Sequence, residues 1–134
     1  MLTNSQARKI INDHVKSFLG IEQNRIQYFN QPNFTPPTTG LWCRVTIQYS
    51  ESFESCLYKG VMIRDYGIIN IQIFARKGTG DISLINLADK WREHWNGFNV
   101  SHFEVMKSNA PTEPYNELET DFVGVLVRVD FRVN

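Results

Sequence analysis

Residues 119–133 read ETDFVGVLVRVDFRV, and this stretch does most to decide the fold. Val123, Val125, Val127, Val129, Phe131 and Val133 fall on one side of an extended chain. Phe122, Gly124, Leu126, Arg128, Asp130 and Arg132 fall on the other. It is the longest period-two alternation in the protein, and it predicts a strand with a packed face and a mixed face. The same period recurs upstream. Residues 66–75 set Ile69, Ile71 and Ile73 against Ile68, Asn70, Gln72 and Phe74, and residues 41–49 set Leu41, Cys43, Val45, Ile47 and Tyr49 against Trp42, Arg44, Thr46 and Gln48.

Weaker strand signals fill the gaps. Residues 23–29 alternate Ile26 and Tyr28 with Gln27, residues 56–63 form a strand interrupted at Gly60, where a bulge is expected, and residues 98–107 form another. A turn is expected over Ser50–Ser55 and a second at Arg64–Asp65, and such short connections imply antiparallel pairing.

Two segments change period. Ala7, Ile10, Ile11, Val15, Phe18 and Leu19 make one helical stripe, so a helix is predicted from Asn4 to Leu19, capped by Asn4 or Ser5 and ended by a positive-φ Gly20. Ile82, Leu84, Ile85, Leu87, Ala88, Trp91 and Trp95 make the second, begun by Asp81 as N-cap and ended at Asn96-Gly97. The element order is α-β-β-β-β-α-β-β. It describes an α+β fold, a largely antiparallel sheet of about five to six strands packed against two helices, in one domain spanning residues 1–134.

Composition narrows the function. With 14 Lys+Arg against 14 Asp+Glu the chain has no net charge, which argues against a protein built around sequence-specific nucleic-acid binding. No apolar run approaches the roughly 20 residues of a membrane helix, and residues 1–14 lack the apolar core of a secretory signal, so neither membrane insertion nor export is expected. Two cysteines make no disulfide framework, and synthesis in a cytoplasm keeps them reduced.

The chemistry-bearing residues do not assemble into a recognisable site. Gly78-Thr79-Gly80 starts like a phosphate loop, but no Lys-Ser/Thr follows and Asp81 would repel phosphate. His14, His94 and His102 have no ligand partner at metal spacing, and Glu93 beside His94 points elsewhere on its helix. Cys43 reads as a small core hydrophobe, and neither it nor Cys56 has a histidine in local pattern. Ser52 and Ser55 lack a glycine elbow, and Glu117, Glu119 and Asp121 read as a solvated strand entrance. The expectation is a protein with no catalytic residues, no cofactor and no metal.

The mixed sheet face is the distinctive feature. Trp42, Arg44, Gln48, Asn70, Gln72, Phe74, Arg128, Asp130 and Arg132 combine aromatic, amide and ionic groups on strands whose other face is already apolar. In a monomer such a face is simply wet; in an oligomer it is a natural contact surface, since Arg, Trp and Phe are enriched at interfaces. Trp42, Arg44, Gln72, Phe74, Arg128, Asp130 and Arg132 are therefore the candidate subunit-interface residues. Two proline-bearing loops follow, residues 30–40 with Phe34, Pro36 and Pro37, and residues 108–116 with Pro111 and Pro114. Long loops more often carry function than connect elements.

The order of these pieces resembles the tail-terminator (tail-completion) proteins of long-tailed, lambda-like bacteriophages and prophages. It rests on Trp42-Cys43-Arg44-Val45-Thr46-Ile47 followed by Gly60, then Gly67-Ile68-Ile69-Asn70-Ile71-Gln72-Ile73-Phe74 with the Lys77-Gly78-Thr79-Gly80 turn. A helix carrying Leu87-Ala88-Asp89 and the late valine strand ending in Phe131 complete it, and Arg76 departs from the proline often found after the long strand. The resemblance implies a non-enzymatic virion structural protein, made in the bacterial host cytoplasm and located at the head-proximal end of the phage tail. It implies a homo-hexameric ring that ends tail-tube polymerisation and presents the head-joining surface. The implied partners are further copies of the chain, the major tail tube protein, the tape measure protein and a head-completion or neck protein, with phage DNA crossing the ring lumen. The loops at Phe34, Pro36, Pro37, Pro111 and Pro114 become the expected tail and neck contacts. The alternatives are another neck or minor tail component, and a small ligand-binding or enzymatic α+β domain.

Overall fold

A computed structural model describes residues 3–28, 34–37, 39–49, 53–54, 63–78, 81–112, 114–116 and 122–133. Two α-helices and eight strands follow in chain order: α1 (Asn4–Lys16), β1 (Ile26–Tyr28), β2 (Trp42–Tyr49), β3 (Phe53–Glu54), β4 (Ile63–Arg76), α2 (Ile82–Trp95), β5 (Asn99–Val100), β6 (Phe103–Ser108), β7 (Tyr115–Asn116) and β8 (Phe122–Val133). The α+β class stands. Six strands form the main path of one curled sheet, β1-β2-β4-β8-β6-β5, with β3 pairing β4 and β7 pairing β8 at its ends.

The two long strands are the spine. β4 and β8 pair antiparallel from Asp65↔Val133 to Arg76↔Phe122, with Ile71 opposite Val127 and Ile69 opposite Val129. Their odd-numbered residues face the helices: Ile69, Ile71, Ile73, Val125, Val127, Val129 and Phe131 are fully buried. Onto them α1 brings Ala7, Ile11 and Val15, and α2 brings Leu84, Leu87, Ala88, Trp91 and Trp95, all in one core. Both helices thus cover the same face.

A glycine sits opposite a phenylalanine on each face of this spine. Gly67 pairs with Phe131 towards the core and Gly124 pairs with Phe74 away from it. A Cβ at Gly67 would stand 2.5 Å from Phe131 Cζ and 2.9 Å from the Gln48 carbonyl oxygen, so the ring lies where a side chain would be.

Several local expectations are corrected. The α1 cap is Thr3: the Gln6 N–H donates to Thr3 Oγ1 at 3.2 Å and the Thr3 N–H to Gln6 Oε1 at 2.8 Å, a reciprocal capping box. The helix ends at Lys16 instead of running to Leu19, and Gly20 is not among the positive-φ glycines. Ser17 Oγ donates to the His14 carbonyl at 2.6 Å, and Gln23 Nε2 donates to the carbonyls of Val15 at 3.2 Å and Phe18 at 3.3 Å, so the last turn is satisfied without a left-handed glycine. Leu19 is left 95% exposed. Asp81 precedes α2 as expected, but its backbone is already αR and its carboxylate makes no cap bond.

The strand at residues 23–29 shortens to β1, behind a 3₁₀ turn at Gln23–Arg25, and pairs parallel with β2. A parallel neighbour needs a crossover of about a dozen residues, which is what the proline-bearing loop provides. The turn expected over Ser50–Ser55 contains β3, and β4 runs unbroken through Arg64–Asp65, so no turn occurs there. The expected strand at 56–63 lies, apart from Ile63, outside the described residues. Residues 98–107 form two strands instead of one. They are a hairpin, β5 to β6, turning at Ser101 and His102 with Ser101 at φ 53°. A shift of register between Val105 and Lys107 then exposes Met106.

Candidate functional site: the open face of the sheet

Opposite the helices the sheet has no second layer of secondary structure among the described residues. Cross-strand register orders its side chains into rows. Trp42, Phe74, Gly124 and Tyr115 form one, and Gln27, Arg44, Gln72 and Leu126 the next. Thr46, Asn70 and Arg128 follow, then Gln48, Ile68, Asp130 and Lys107, and last Tyr66, Arg132 and Glu104. The face therefore grades from aromatic at one end, through amides, to ionic at the other.

At the aromatic end, Trp42 stacks on Phe74 with centroids 4.4 Å apart, Phe122 stands edge-on to Trp42 at 5.4 Å, and Phe34 lies 5.5 Å from Trp42. Two guanidiniums cover these rings: Arg44 lies 5.2 Å from the Phe74 centroid and 5.5 Å from that of Trp42, and Arg76 lies 4.5 Å from Phe122. Arg44 also donates from Nε to Gln27 Oε1 at 3.2 Å and from Nη1 to Gln72 Oε1 at 3.5 Å, while Gln72 Nε2 donates to the Tyr115 hydroxyl at 3.1 Å. This network ties the arginine in place beside the rings.

The middle rows are more open. Asn70 Nδ2 donates to Gln48 Oε1 at 3.4 Å, and Asn109 Nδ2 donates to the Arg128 carbonyl at 2.8 Å and to Asp130 Oδ2 at 3.4 Å. The Arg128 side chain is exposed and has no ion pair among the described residues. At the ionic end Arg132 grips Glu104 through two bonds, Nη2 to Oε2 at 2.6 Å and Nε to Oε2 at 2.7 Å. Glu104 beside it raises the guanidinium pKa further above its ordinary value.

The structure thus divides the expected interface residues. All seven lie on one face, but Trp42 and Phe74 are 3% and 1% exposed and already covered by their own chain. Arg44, Gln72, Asp130 and Arg132 are half-buried, and Arg128 is open. The loop residues are also placed. Phe34 packs on Trp42, and the Pro37 carbonyl accepts from Arg76 Nη2 at 3.5 Å, so residues 34–37 lie on the aromatic end of the sheet. Thr112 N–H donates to the Leu126 carbonyl and Leu126 N–H to Thr112 Oγ1, both at 3.0 Å, which lays the loop carrying Pro111 along β8. Pro36, Pro37, Pro111 and Pro114 are half-buried. Sequence reasoning missed Arg76, Phe122 and Tyr115 as members of the aromatic end. Arg76 and Phe122 share the strand period with Phe74 and Gly124, and that was the available signal.

Other candidates resolve simply. Burial pushes the Cys43 thiol up to about 12, opposed by the neighbouring Trp91 side chain, so it is inert in the native state. Among the described residues no three His, Cys, Asp or Glu side chains could hold a metal ion, and no helix is long and apolar enough to cross a membrane. On the helix side a depression of about 300 Å³ is lined by Asp89, Arg92, Glu93, Asn96 and Ser108.

No family model matches the chain, and no curated protein matches it. Five chains among solved structures do. One of them, whose name states no function, is similar over 95% of this chain and 95% of its own, with a TM-score of 0.67 and 15% identity. That likeness concerns the fold alone.

Proposed function

We propose that the protein is a tail terminator of a long-tailed bacteriophage: a non-enzymatic ring subunit, hexameric by resemblance, that caps the head-proximal end of the tail tube and offers the surface to which the head joins. The observation that carries the proposal is the graded open face. A sheet packed on one side by two helices and left on the other with arginine, amide and carboxylate rows is suited to cover and be covered by other protein. Its exposed rows differ in chemistry from the covered aromatic end, and a ring of identical subunits joined by heterologous contacts needs two different surfaces on each copy. The order of sequence motifs supplies the specific family. The tube protein, tape measure protein and neck protein are the partners this reading entails, with DNA passing through the lumen.

The test is electron microscopy of tail-tube subunits polymerising with and without the protein. Arrest of growth by amounts far below one copy per tube subunit, with a ring at one end of each tube, is the expected result. Tubes of unchanged length at equimolar protein would sink the reading.

A further inference from the structure

The joint between the two helices is built around a pair of imidazoles. His14 and His94 stack with centroids 3.9 Å apart and planes 16° from parallel, and Phe98 stacks on His14 at 3.7 Å and 19°. Each histidine donates Nε2–H to the other's backbone carbonyl, both at 2.7 Å. Carbonyls only accept, so both rings carry the proton on Nε2, and Ser17 Oγ stands 3.3 Å from the His94 Nε2. Trp95 meets His14 edge-on at 4.4 Å, and Phe18 meets His94 at 5.1 Å while stacking on Trp91 at 3.7 Å. We infer that the His14–His94 stack is an acid-operated latch, which holds the last turn of α1 against α2 while neutral and releases it when protonated, the sheet remaining folded.

Protonating His14 would place a cation between the faces of His94 and Phe98, 3.9 and 3.7 Å away. Burial and the facing His94 both disfavour the charged form of His14, and the bond to the His94 carbonyl opposes them only in part, so its pKa lies below the ordinary 6.5. The remaining charges around the joint come in opposite signs. On α1, Asp13 borders the groove of His14 but is paired with Lys9 at 3.1 Å, and Lys16 is exposed. On α2, Lys90 and Glu93 border His94. Residues 96–100 contribute no charge. Both histidines lie in the C-terminal turns of their helices.

The sign follows from linkage. A histidine whose folded pKa is depressed holds fewer protons closed than open, so the closed form is fully favoured above 6.5 and loses ground as the pH falls. Each pH unit in that window lowers the closed-to-open ratio by up to about tenfold per proton taken up. The experiment follows α1 amide exchange and the imidazole C–H resonances by NMR from about pH 7.5 to 5.5, corrected for intrinsic exchange and compared with β4 and β8. In the wild type, α1 protection should fall relative to the two strands, by an amount bounded at about tenfold for the one proton that His14 takes up across this range. In His14→Gln combined with His94→Gln, whose amides can donate to the same carbonyls without charge, it should not change. Constant α1 protection in the wild type, the same loss in the double variant, or a His14 resonance titrating at or above 6.5 overturns the inference. The wild-type measurements decide alone if the variant does not fold.

Discussion

Adding one methyl group at Gly67 tests the packing of the spine. The new Cβ would stand 2.5 Å from Phe131 Cζ, 2.8 Å from Cε1 and 2.9 Å from the Gln48 carbonyl oxygen. Neither neighbour can yield. Phe131 is fully buried, stacked on Phe103 at 5.1 Å and edge-on to Tyr49 at 5.7 Å, and Gln48 belongs to the β2–β4 ladder. Overpacking of this kind costs about 1–3 kcal/mol, while alanine regains roughly 0.5–1 kcal/mol of the entropy that glycine loses on folding. With no neighbour able to give way, the upper half of the overpacking range applies, and Gly67→Ala should destabilise by about 1–2.5 kcal/mol net, a large fraction of the roughly 5–15 kcal/mol that holds a domain folded. Urea unfolding followed by tryptophan fluorescence measures it, with an unchanged slope and a lower midpoint. Phe131→Leu leaves a void beside the same position, so the double variant should recover about 1 kcal/mol relative to the sum of the singles. A single variant within about 0.3 kcal/mol of wild type, or strict additivity in the double, would refute the ring-over-glycine account.

Two further measurements probe other parts of the molecule. Thr3→Ala removes the acceptor of the α1 capping box and should cost about 1 kcal/mol in the same assay, whereas Asn4→Ala or Ser5→Ala should cost less; the reverse ranking would restore the original cap assignment. The Cys43 thiol, held at about 12 by burial, should resist a thiol reagent at pH 8 in the native protein and react once denatured; fast native labelling at that position would contradict its place in the core.

Strand faces were legible because period two leaves little freedom. Once Val125, Val127 and Val129 are apolar, Arg128 and Asp130 must lie opposite, and the β4–β8 register then follows from matching Ile69, Ile71 and Ile73. The features that were not legible are those in which distant side chains replace local signals. Gln23 closes the end of α1 in place of Gly20, and Ser101 turns the β5–β6 hairpin with a positive φ that serine rarely adopts. The direction of β1 was hidden for another reason: alternation is the same in parallel and antiparallel strands. As for the candidate face, its membership was written in the alternation, but its division into covered Trp42 and Phe74 and open Arg128 was not. That depends on Phe34, Arg44 and Phe122 arriving from elsewhere in the chain.

The outermost strands of the sheet have a consequence for how it meets other chains. β1 is three residues long and β5 two, while the fourteen-residue β4 and twelve-residue β8 lie between neighbours. Where β6 runs beyond the short cover of β5, the shift at Met106 and the charge of Lys107 spoil the regular ladder that another chain would need. Short outer strands, a bulge and a charge at the margin are the means by which sheets disfavour strand addition, so the long β4 and β8 are kept from offering their own edges to another chain.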